Sequence, residues 1–102
     1  MKTYTGERTI DGISVFVDRR PLPPHYDQLK LTDHGFEWSY EGPEPSQLAF
    51  ALLSDHLGDA AAAKSLYRRF MERVVANFDN DWQMTSADLD AAVAALRDNR
   101  AA

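Results

Sequence analysis

The chain has no cysteine among its 102 residues. A disulfide framework, a thiolate zinc site, a redox dithiol and a cysteine nucleophile are therefore excluded together. It also lacks a long apolar run. The longest, Leu48 to Leu53, is far short of the roughly 20 residues of a membrane span. The five glycines are scattered and none forms a phosphate-cradling loop ahead of a helix. Lysine and arginine are missing from residues 32–62, where six carboxylates give a net charge of -6, against +1 for residues 1–31 and 0 for residues 63–102. Acid gathered on one face repels nucleic acid and attracts a basic protein groove.

What is present fits one folded domain over residues 1–102, with a strand-rich region in 1–41 and a mainly helical region in 46–102. Hydrophobic residues make up 44% and charged residues 26%, which is a globular composition and not a disordered one. Met1–Ile10 alternates polar and β-branched residues without the apolar centre of a secretory signal, so the expectation is a cytoplasmic protein with no membrane contact.

Lys2–Arg8 and Ile13–Asp18 are β-rich runs separated by a segment containing Asp11-Gly12, a hairpin signature. Arg19-Arg20-Pro21-Leu22-Pro23-Pro24 reads as a stiff loop, and a short strand is expected near Gln28–Leu31. Gly35–Glu41 alternates Phe36, Trp38 and Tyr40 with Glu37, Ser39 and Glu41, which predicts a strand with Glu37 and Glu41 on one side, ~13 Å apart. Ser46–Leu57 reads as a central helix, apolar all round and closed by Gly58. A second helix is expected over Asp59–Phe78, with Ala63, Leu66, Tyr67, Phe70, Val74 and Phe78 inward. Its outer face carries Lys64, Arg68, Glu72 and Arg73, and Glu72 is placed to pair with Arg68 or Arg69. Trp82–Met84 reads as an edge strand, and Thr85-Ser86-Ala87-Asp88 as a capping box opening a third helix that buries Leu89, Val93 and Leu96. The fold class is α+β: an antiparallel sheet of three to four strands packed on a central apolar helix, with two further amphipathic helices.

Gly35-Phe36-Glu37-Trp38-Ser39-Tyr40-Glu41-Gly42 with Pro45-Ser46-Gln47-Leu48-Ala49 resembles the signature of a bacterial and phage family of small proteins of unknown function. The resemblance extends to Tyr4-x-Gly6 with Arg8, to Val17–Pro24 and to Trp82-x-Met84-Thr85. It implies genomes of bacteria and their mobile elements, which encode small acidic inhibitors such as anti-CRISPR proteins. It implies no site roles.

No metal or cofactor is expected. His25, His34 and His56 lack ligand spacing, and Ser54, Asp55 and His56, adjacent on one helix, point apart and form no relay. The residues therefore point to a non-enzymatic acidic module, with Glu37, Glu41, Glu44, Asp55, Arg19 and Arg20 as partner-binding candidates. The expected partner is a protein with a basic surface, in a nucleic-acid-handling or defence complex, with no direct contact to nucleic acid. The alternative is a self-associating accessory protein, a homodimer.

Overall fold

The computed structural model describes residues 1–100, with side chains through Asp98. Ala101 and Ala102, included in the single-domain reading, lie outside the described residues. Strands β1 (Thr3–Thr9) and β2 (Gly12–Val17) form the expected hairpin, closed where Gly12 takes a φ of 121°. The turn after β2 places Asp18 and Arg19 at φ 49° and 71°, a type I′ geometry, and so adds β3 (Arg20–Pro21) to what the sequence presents as plain loop. β4 (Trp82–Thr85) pairs with the other edge of β1, giving an antiparallel sheet ordered β3-β2-β1-β4. Tyr4 and Val15 are buried, whereas Thr3, Thr5 and Phe16 lie on the opposite, open face.

Helix α1 (Pro43–Leu57) begins three residues before the expected Ser46, because Pro43 has the fixed φ that suits a first helical position. Leu48, Ala49, Phe50, Ala51, Leu52 and Leu53 have no exposed surface, as an apolar central helix requires. Gly58 caps it through a bond to the Ser54 carbonyl, and Asp59 caps α2 (Ala60–Arg73) by accepting from the Ala61 and Ala62 amides. The two-residue link folds α2 back along α1. The expected run of α2 to Phe78 is not realised. The helix ends at Arg73, and a 3₁₀ turn, Val75–Asn77, follows. Ser39 draws off two carbonyls there, its N–H reaching Val75 O at 3.2 Å and its hydroxyl Phe78 O at 2.6 Å. Val75 is consequently fully buried and Val74 only partly, and Phe78 leaves the helix stripe to stack on Trp82 at 4.4 Å. Helix α3 (Ser86–Arg100) starts with the expected box: Thr85 N–H donates to Asp88 Oδ2 and Asp88 N–H to Thr85 Oγ1.

Residues 22–42 form neither helix nor strand, which overturns both strands expected there. In Gly35–Glu41, Gly35 and Ser39 have φ of 78° and 79°, which no strand accommodates. The segment's backbone is satisfied piecemeal. Gln47, wholly buried on α1, accepts from Leu31 N–H at 2.7 Å and donates to the Pro24 and Leu29 carbonyls at 2.8 and 2.9 Å. Further on, Trp38 is fully buried. It packs edge-on against Trp82 at 5.9 Å and donates its indole N–H to Asn80 O.

Trp82 in turn lies across Gly6. A Cβ there would stand 2.7 Å from Trp82 Cζ2 and closer still to Nε1 and Cε2. Gly6→Ala is expected to lower stability by ~1–3 kcal/mol through overpacking. Gln47→Leu, which strands two carbonyls and an amide, should cost ~2–5 kcal/mol. Urea unfolding checks both; a change below about 0.5 kcal/mol for either contradicts the packing described.

Candidate functional site

Helix α1 divides the candidate acids. Glu37, Glu41 and Glu44 lie at or before its N-terminal turn, and Asp55 is eleven residues on, ~16 Å further along the axis. Because residues 35–41 are not a strand, the ~13 Å spacing of Glu37 and Glu41 on one strand face does not apply.

At the N-terminal end each carboxylate has a different environment. Glu44 accepts from the Thr32 hydroxyl at 2.6 Å and the Tyr40 hydroxyl at 2.8 Å. These bonds, Thr32's first, hold its pKa below the ordinary value. Both hydrogen-bond partners are neutral hydroxyls, and Glu44 forms no ion pair among the described residues. Tyr40 is pushed up to about 12, chiefly by burial, then by its bond to Glu44 and the charges of Glu44 and Glu37. Glu37 accepts from Arg8 Nη2 at 2.6 Å and from the Trp38 amide at 3.1 Å. The same guanidinium lies 4.8 Å over the Trp38 ring, donates to Trp38 O at 3.0 Å and bonds Asn80 Oδ1. Glu41 is exposed. Three of the candidate acids thus occupy one ordered stretch, with Glu37 partly neutralised by Arg8.

At the other end of α1, Asp55 accepts from the buried Tyr4 hydroxyl at 2.6 Å and from Lys2 Nζ at 3.1 Å. Burial, then this bond, raises the Tyr4 pKa well above the usual tyrosine range. Asp55 shares a groove of about 520 Å³ with Arg20, Lys2, Val17, Asp18, Pro21 and Pro23. Arg19 faces a second concavity of about 480 Å³ with Thr3, Thr5, Phe16 and Asp18. Arg20 and Asp55 are therefore brought together, apart from the other acids, while Arg19 stands on the far side of its turn.

Ser54, Asp55 and His56 diverge as their spacing requires. Ser54 Oγ is buried without a partner, Asp55 turns to Tyr4, and His56 Nε2 meets Asp90 Oδ1 at 2.6 Å across to α3. Among the described residues no three metal-ligating groups gather. The described ion pairs are Lys2–Asp55, Arg8–Glu37, Lys30–Asp33 and His56–Asp90, so the expected pairing of Glu72 with Arg68 or Arg69 is not made. Among the described residues no helix is long and apolar enough to cross a membrane.

Gln47, Thr32 and Arg8, which fix this stretch, carry no role in the sequence reading. A glutamine beside the unbroken run Leu48–Leu53 was the available signal, since a polar side chain at the edge of a buried helix needs partners.

A family of unknown function (DUF6166) matches residues 4–95. The chain belongs to that family. The match takes in β1 through most of α3, so the ordered 22–42 segment lies within the DUF6166 region. No curated protein and no solved structure matches the chain significantly.

The Tyr40–Glu44 bond has a pH signature. Glu44's depressed pKa means that its contribution to stability is complete above its unfolded value and is lost as pH falls through the folded one. Tyr40's raised pKa means that its contribution is complete below ~10 and is lost as pH rises through about 12. Ultraviolet titration of Glu44→Gln should show one tyrosine titrating at lower pH than in the wild type, with the part of its shift due to burial retained. An unmoved titration contradicts the bond.

Proposed function

We propose that the protein is a non-enzymatic binding module that presents Glu37, Glu41 and Glu44 to a basic surface of a protein partner. The observation that carries this reading is the ordered irregular segment 22–42, pinned by Gln47 and Trp38, that holds Glu37 and Glu41 and abuts Glu44. Ordered loops of this length are uncommon in compact domains and are usually functional. Glu44 supports it further, being oriented by two hydroxyls and forming no ion pair among the described residues. A side chain fixed before binding loses less entropy on docking.

The partner class follows from the charge. Basic protein surfaces of groove shape are those that hold nucleic-acid phosphates, and an acidic platform seated there excludes the nucleic acid. We extend the proposal to inhibition of such a complex, in the manner of an anti-CRISPR or other anti-defence factor encoded by a phage or mobile element. Asp55 and Arg20, in their separate groove, are assigned no part in the primary contact.

Affinity capture from bacterial lysate at low salt, followed by binding measurements on the purified partner, tests this. The variant Glu37→Gln, Glu41→Gln, Glu44→Gln should bind at least about tenfold more weakly, equivalent to ~1.4 kcal/mol, with a shallower salt dependence. Undiminished binding by that variant rules out the acidic platform as the contact.

A further inference from the structure

Helix α2 carries Lys64, Arg68, Arg69 and Arg73 against the single carboxylate Glu72, a net charge of +3 on one helix of an otherwise acidic protein. Lys64, Arg68 and Arg73 are exposed, and none of the four cations forms an ion pair among the described residues. Arg69 alone is tied down, donating to Leu96 O on α3 at 3.4 Å. The outer face of the helix is thus net positive, with the exposed Glu72 set among the cations, one turn from Arg68 and beside Arg73.

That face ends beside the acidic segment. Ser39 bonds to Val75 O and Phe78 O just past the last turn of α2, so Glu41 and Glu44 occupy the same end of the molecule as Arg73. Neither acid pairs with Arg68 or Arg73 within the chain. Opposite charges that share one end but do not meet within a protomer can meet across a two-fold axis. Each contact is then made twice, and the assembly closes at two copies.

We infer that the basic face of α2 docks on the acidic segment of a second copy, in a symmetric dimer in which Glu41 and Glu44 of each protomer meet Arg68 and Arg73 of the other. The inference rests on the reading that this segment is a docking surface, and it adds a regulation of that surface. In the dimer the acids are covered, and a basic partner binds by displacing the second copy. Because the contact is electrostatic and exposed, it belongs to low ionic strength and high protein concentration.

Sedimentation equilibrium at high micromolar protein tests this in about 0.01 M salt, where the screening length is ~30 Å, and in about 1 M, where it is ~3 Å. The wild type should approach twice the chain mass at low salt and return to one chain mass at high salt. Arg68→Glu with Arg73→Glu, and separately Glu41→Lys with Glu44→Lys, should each weaken dimerisation at least tenfold. An equimolar mixture of the two variants should restore it, which also shows that both are folded. The milder Arg68→Gln with Arg73→Gln should weaken it in the same direction. A wild type that stays monomeric at low salt, a dimer that persists at high salt, or a mixture that fails to re-form overturns the inference. Capture of a basic partner separates the two proposals: the α2 variants should retain it and the acidic-segment variant should lose it. Loss of capture in the α2 variants would overturn the displacement scheme.

Discussion

The side chain of Gln47 is the constraint on which the irregular segment 22–42 depends. It stands among the buried residues of helix α1 and uses both ends of its amide on the backbone of residues 24–31. In an apolar interior an amide without partners costs several kcal/mol, and so does an irregular backbone without a ladder. Each cancels the other's cost. The arrangement fixes the path of residues 22–42 over α1 and brings Thr32 to the helix N-terminus, where its hydroxyl meets Glu44.

The far end of the same segment is fixed by an aromatic anchor. Trp38 fits because Trp82 can pass close against Gly6, and Arg8 closes over the Trp38 ring while bonding Glu37 and Asn80. With both ends held, Tyr40 and Glu44 define a surface whose charge is set by geometry as well as composition. The chain of cause therefore runs from one buried amide and one missing side chain, through an ordered loop, to an acidic platform.

Much of the architecture was legible in the residues themselves. The β1–β2 hairpin, the apolar α1 and the Thr85–Asp88 box follow from local chemistry, and each forms where that chemistry dictates. Gly35–Glu41 shows why alternation alone is insufficient. Trp38 does turn inward, but Gly35 and Ser39 adopt left-handed conformations, and the segment's hydrogen bonds go to Arg8 and to the exit of α2. The end of α2 was hidden for the same reason, since the residue that diverts its carbonyls, Ser39, lies 36 positions from Val75 in the chain. Among the site residues, the types were visible and their grouping was not. Whether Asp55 joins Glu44 or Arg20 depends on which end of α1 it occupies and on how β3 returns beside it.

Amide hydrogen exchange followed residue by residue tests the central claim most directly, which is that residues 22–42 are a fixed platform and not a mobile connector. The Leu31 amide, bonded to Gln47, and the Ser39 amide, bonded to Val75 O, should exchange only through unfolding and so approach the protection of core amides in α1. Exchange of both at the rate of an unstructured chain, while α1 remains protected, would contradict it.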